Sequence, residues 1–142
     1  MPPLAWEKQL CMIREMGRTM KKILIVEDEF DVSKVLKKRL TDANFEVMVA
    51  LDGYQGIQMA LKNTPDLMIL DLMLPAGGGL GVLKAIKTST HTKFMPVVVL
   101  TGMSNEEYKK KVLEHGIDAY VEKPYVPEEL LSTIRKLLGM NE

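Results

Sequence analysis

A chain of 142 residues has the length of one compact domain, enough for a core that needs neither disulfides nor a structural metal. Hydrophobic residues make up 46% of it and charged residues 27%, values that exclude a disordered or membrane-embedded chain. Nineteen basic residues cancel nineteen acidic ones, so there is no broad basic field to hold a nucleic-acid backbone directly, and the single cysteine, Cys11, excludes an internal disulfide.

Residues 1–20 differ in pattern from the rest of the chain. Pro2 and Pro3 precede a mixed polar stretch carrying Met12, Met16 and Met20, which is an N-terminal extension, either without fixed structure or a short helix from Leu4 to Met16 with Trp6, Leu10 and Ile13 as a stripe. No run approaches the roughly eighteen apolar residues of a membrane span, and the first twenty residues lack the apolar block of a secretory leader, so the expected location is the cytoplasm.

From residue 21 to residue 140, apolar runs of strand length alternate five times with segments of helical period. The strands are expected at Ile23–Glu27, Glu46–Ala50, Leu67–Asp71, Pro96–Thr101 and Ala119–Glu122. Between and after them come five helical stripes: Val32, Val35, Leu36 and Leu40; Ile57, Ala60 and Leu61; Val82, Leu83 and Ile86; Tyr108, Val112 and Leu113; Leu130, Leu131, Ile134 and Leu138. Strands one, three and four are continuous apolar runs, as in a parallel sheet covered on both faces. The fold class is therefore α/β, and because crossovers are right-handed, helices reach both faces only if the winding reverses once.

In such a sheet, ligands bind beyond the carboxyl ends of the strands. Strand one ends in Glu27-Asp28-Glu29, strand three in Asp71 and strand four in Thr101, and strand five runs into Lys123-Pro124. Carboxylates of Glu27, Asp28 and Asp71 gathered in one cleft at roughly 4 Å repel by several kcal/mol, and a hard divalent cation relieves this; Mg2+ suits an oxygen-only site that shares a phosphate. Asp71 is then placed to attack phosphorus, because carboxylates form acyl phosphates, with Lys123 and the Thr101 hydroxyl offsetting charge on the phosphoryl oxygens. Taken singly, each residue has a plainer reading: the acidic triplet as a solvated helix start, Asp71 and Pro124 as turn residues, Thr101 as a strand end and Lys123 as surface charge. Their joint placement at successive strand ends is what carries the chemical reading.

The segments Ile-Val-Glu-Asp-Glu, Asp-Leu-Met-Leu-Pro, Val-Val-Leu-Thr-Gly and Ala-Tyr-Val-Glu-Lys-Pro-Tyr, in this order and spacing from about Met20 to Leu138, resemble the receiver domains of two-component response regulators. The resemblance implies a flavodoxin-like, doubly wound sheet of order 2-1-3-4-5 with five helices, and a receiver domain over residues 21–140. It implies Asp71 as phosphoacceptor, and Glu27, Asp28, Asp71 and the main-chain carbonyl of Met73 as the Mg2+ site. Thr101, Gly102 and Lys123 become phosphate-binding, Thr101 and Tyr120 the switch, and the peptide before Pro124 usually cis. The loop Pro75-Ala76-Gly77-Gly78-Gly79 departs from the family pattern, with Gly78 and Gly81 standing where acidic or polar residues are common. Greater mobility of that loop and of the first turn after it is the resulting expectation.

The function so implied is a stand-alone switch phosphorylated by a sensor histidine kinase or a histidine phosphotransfer protein. It is read out by a protein partner through the fourth helix, fifth strand and fifth helix, without an attached output domain, and it is not an enzyme beyond its own phosphorylation and dephosphorylation. A phosphorylation-independent docking module and an aspartyl-nucleophile phosphatase are the alternatives. The intact acid, threonine and lysine set opposes the first. The second is opposed by Phe30, which stands two residues beyond Asp28 where such phosphatases usually carry a second aspartate. His91 and His115 fall on loops or helix ends away from the strand tips and are read as surface residues.

Overall fold

The computed structural model describes residues 2, 4–9, 20–74, 78–102 and 106–140. The strands are β1 (Lys22–Val26), β2 (Glu46–Ala50), β3 (Leu67–Asp71), β4 (Val97–Thr101) and β5 (Ala119–Glu122), and the helices α1 (Phe30–Asp42), α2 (Gly53–Asn63), α3 (Gly78–Thr88), α4 (Glu106–Leu113) and α5 (Pro127–Leu137). Residues 5–9 add a sixth helical segment ahead of the sheet, where five helices were expected. Trp6 is exposed there, while Leu10 and Ile13 of the expected stripe lie outside the described residues. None of the described helices is long and apolar enough to cross a membrane.

All four strand pairs are parallel, in the order β2-β1-β3-β4-β5. The winding reverses between β1 and β3, which leaves a crevice at their carboxyl ends. Period-two alternation divides the core into two layers. Ile23, Ile25, Leu67, Ile69, Val98 and Leu100 face Leu36 and Leu40 of α1 and Leu130 and Ile134 of α5. Leu24, Val26, Met68, Leu70, Val97 and Val99 face Ala60 of α2, Val82, Leu83 and Ile86 of α3 and Val112 of α4.

The strand limits differ from expectation by one residue at three places, the start of β4 and both ends of β1. Pro96 has no N–H for the ladder, and its contribution is the carbonyl that accepts from Met68 N–H at 2.9 Å, so β4 opens at Val97. Lys22 joins β1 because it pairs with Glu46, and its N–H is held by the Asp66 carboxylate at 2.8 Å. Glu27 falls just past the strand, although its N–H still donates to Ala50 O at 3.0 Å. Three helical stripes are also shifted. Val35, Leu61 and Leu113 are exposed; Leu36, Leu40, Ala60 and Val112 turn inward as expected, joined by Ser33 on α1 and Gly56 on α2.

Gly78 and Gly79 open α3, and Pro75, Ala76 and Gly77 lie outside the described residues. At Gly79 a close approach explains the missing side chain. A Cβ there would lie 2.5 Å from Leu72 Cα and 2.6 Å from its carbonyl oxygen, backbone atoms that cannot swing aside. Gly81, two residues on, is exposed, and a Cβ at that position meets nothing within 4 Å. The two glycines therefore respond in opposite ways to alanine. Gly79→Ala is expected to destabilise by about 1–3 kcal/mol through overpacking, whereas Gly81→Ala stabilises by roughly 0.5–1 kcal/mol through helix propensity. Urea midpoints of the two variants that shift in the same direction would contradict this packing.

Candidate functional site

The two-residue period that builds the core also sorts the residues at its upper edge. Glu27, Asp71 and Lys123 continue the positions of β1, β3 and β5 that face α1 and α5, whereas Thr101 and Tyr120 belong to the positions that face α2, α3 and α4. The charged residues thus meet on one side of the sheet edge, and the hydroxyl and the aromatic on the other.

Glu27 and Asp71 are almost fully buried, at 3% and 4% exposure. Lys123 reaches between them, with Nζ 3.1 Å from Glu27 Oε2 and 3.3 Å from Asp71 Oδ2. Each carboxylate also takes a backbone donor from the turn behind it: Glu29 N–H donates to Glu27 Oε1 at 3.2 Å and Met73 N–H to Asp71 Oδ1 at 2.8 Å. Lys123 is fixed at its base by its own N–H, which donates to Thr101 O at 2.8 Å, and the following Lys123–Pro124 peptide bond is cis.

Asp28, exposed at the mouth, completes a set of three acids. Glu27, Asp28 and Asp71 each offer an oxygen, and these oxygens lie within 4.8 Å of one another. Among the described residues, Lys123 makes the only ion pairs to this set. The imbalance is visible in the acid-base behaviour. Burial, then the hydrogen bond and the charge of Asp71, push the Glu27 carboxyl up to about 7, against the opposing pull of Lys123 and of the Glu29 N–H. Burial lowers the basicity of Lys123, but the hydrogen bond to Glu27 and the charges of Asp71 and Glu27 outweigh it and raise its pKa. An oxygen-only cluster with too little positive charge fits a hard divalent cation.

Thr101 is fully buried as the last residue of β4, and the next residue, Gly102, is exposed, with open space where a Cβ would stand. In the β4–β5 register Tyr120 pairs with Val99, which places it diagonally below Thr101 on the same face. Met73 is tied to Asp71 through its N–H and leaves its side chain half exposed at the lip. His91 and His115 follow α3 and α4, on connections that enter the opposite edge of the sheet.

Two residues near the site were not singled out from sequence. Burial raises the pKa of the Tyr108 hydroxyl on α4, and the charge of Asp71 adds to that, so this side chain lies within the field of the site. Burial likewise raises that of Tyr125, which follows Pro124 and sits within the fields of Arg39, Lys123 and Glu27. Tyr108 reads from sequence as part of a helical core stripe, and no spacing rule distinguishes a stripe residue whose polar end reaches a neighbouring cleft.

The chain as a whole is similar to several known proteins. The response regulator ArlR of Staphylococcus saprophyticus is 40% identical over 119 residues, which are 84% of this chain and 53% of that protein, so the chain spans about half the length of this curated relative. Among solved structures, the chemotaxis response regulator CheY4 of Vibrio cholerae is 31% identical with a TM-score of 0.76, over 83% of this chain and 98% of the other. A CheY-like response regulator receiver domain protein of Methanospirillum hungatei is 30% identical with a TM-score of 0.78, over 84% and 94%. A family model described as the response regulator receiver domain matches residues 23–135, and with the parallel sheet and the acid cluster at its edge this places the chain in the response regulator receiver domain family.

Proposed function

We propose that this receiver accepts a phosphoryl group on Asp71, in a Mg2+-dependent reaction with a phosphohistidine of a sensor histidine kinase or histidine phosphotransfer protein, and relays the event by a change of shape. The observation that carries the reading is one ammonium shared by two buried carboxylates with a third acid beside them. Glu27, Asp28, Asp71 and the Met73 carbonyl are the proposed Mg2+ ligands. When bound, the ion supplies neutralisation of the acids and polarisation of a phosphoryl oxygen.

An Asp71 carboxylate oxygen is the nucleophile. The bond from phosphorus to Asp71 oxygen forms as the bond from phosphorus to the donor nitrogen breaks, and the imidazole leaves with the electron pair. Lys123 is already within hydrogen-bonding reach of Asp71, and its ammonium passes to an oxygen of the new acyl phosphate. The Thr101 hydroxyl and the Gly102 N–H are the proposed donors to the remaining oxygens. As Thr101 turns towards the phosphoryl group it vacates space on the face it shares with Tyr120, and the aromatic ring follows. Moving such a switch from 1:99 to 99:1 takes about 5.5 kcal/mol of differential stabilisation, within the scale of several charge-assisted hydrogen bonds.

On this reading the receiver region works in the cytoplasm and passes its signal to a protein partner through α4, β5 and α5, without direct nucleic-acid contact by this region. Balanced charge and the position of Tyr120 on β5 support that assignment.

Two outcomes test the proposal. Incubation with a small acyl-phosphate donor and Mg2+ should add one phosphoryl mass to the wild type and none to Asp71→Asn; a wild type that stays unmodified with every donor, or a variant modified to the same extent, contradicts it. The second concerns pH. The folded pKa of Glu27, about 7, lies above its ordinary 4.5, so its contribution to stability is complete below pH 4.5 and is lost as pH rises through 7. Without divalent cations, the unfolding free energy of the wild type, read from urea midpoints, should therefore fall across that window relative to Glu27→Gln by on the order of a few kcal/mol. Parallel pH profiles for the two proteins would remove the electrostatic basis of the site.

A further inference from the structure

A cation stands against the aromatic ring assigned to the switch, and its place follows from how α4 is held. Val112 is fully buried, and Tyr108, four residues before it, packs against the same core cluster, so one stripe of α4 is fastened to the sheet. Lys109 flanks that stripe, three residues before Val112. Its Nζ stands 5.1 Å from the centroid of the Tyr120 ring, and both residues are half-buried. Tyr120 also packs against the core cluster, so its ring meets the hydrophobic core and carries an ammonium over its face. Glu122 and Glu106 lie close enough for their charges to act on the Tyr120 hydroxyl, after burial. The ring thus sits in negative surroundings that favour a cation nearby.

We propose that Lys109 is a clasp on the switch: its ammonium, resting on the face of the Tyr120 ring, holds the ring in the resting position and must be released before the ring rotates towards Thr101. The inference rests on the assignment of Thr101 and Tyr120 as a coupled pair. A lysine or arginine supplies the interaction and a neutral side chain of similar length does not. Lys109 therefore raises the threshold for switching while touching neither the acceptor nor its ligands.

The test follows the Tyr120 ring signals by NMR in the full chain, with and without beryllofluoride and Mg2+ as the phosphoryl mimic. In the absence of the mimic, Lys109→Met should raise the population of the moved ring about two- to fivefold, the range for an exposed to partly buried cation–π contact. Its Tyr120 signals should shift towards those of the mimic-bound wild type, and Lys109→Arg should keep the wild-type positions, a rescue that loss of packing alone would not give. Lys109→Gln serves as the second neutral variant should Lys109→Met fail to fold. Tyr120 signals in the neutral variants that coincide with those of the wild type overturn the clasp. Tyr120 signals of the wild type that ignore the bound mimic overturn the switch assignment beneath it, an outcome recognisable because no Lys109 variant is involved.

Discussion

Glu27 and Asp71 are withdrawn from water side by side, and the ammonium that lies between them answers only part of their charge. Two buried carboxylates at contact with one lysine are electrostatically unstable unless one takes a proton or another cation arrives, and the elevated pKa of Glu27 is the first of these remedies. Asp28 deepens the deficit from the exposed side. Everything proposed for this receiver depends on that arrangement: its appetite for a divalent ion, the readiness of Lys123 to transfer to new phosphoryl oxygens, and the ability of a single added group to rebalance the sheet edge.

The fold creates this situation through ordinary means. β3 and β4, apolar up to their last residue and buried along their whole length, bring Asp71 and Thr101 to the same edge. The parallel register sets β1 against β3, so Glu27 and Asp71 end adjacent strands, and the hydrogen bond from Lys123 N–H to Thr101 O anchors the lysine from the far side of β4. Because the pleat alternates, the charged residues and the Thr101–Tyr120 pair occupy opposite faces of one edge. The proposed chemistry on the α1 and α5 side and the proposed movement on the α4 side are thus neighbours through a single layer of backbone.

Much of this was legible in the sequence because strand ends are marked by abrupt changes from apolar runs to charge. Ile-Leu-Ile-Val before Glu27 and Leu-Met-Ile-Leu before Asp71 locate both acids to within a residue, and parallel topology then brings them to one edge. Helix phasing was less legible. Val35, Leu61 and Leu113 are apolar yet exposed, since a helix rim tolerates single hydrophobic residues, and the inward positions went to Ser33 and Gly56, whose small size suits close packing. The close approach at Gly79 was not legible, because a glycine carries no sign of the neighbour it accommodates, and here that neighbour is the backbone of Leu72. Tyr108 was legible only as helix pattern and Lys109 was not singled out, since their relation to Asp71 and Tyr120 depends on how α4 sits on the sheet.

The central claim, a pocket whose acids outnumber its cations and which therefore takes up a divalent ion, is tested most directly by calorimetric titration of the full chain with Mg2+ at a pH above the Glu27 value. The account predicts saturable uptake of one ion per chain, and loss of that uptake in Asp28→Asn. Uptake that never saturates, or that is unchanged when the exposed acid is neutralised, would contradict it.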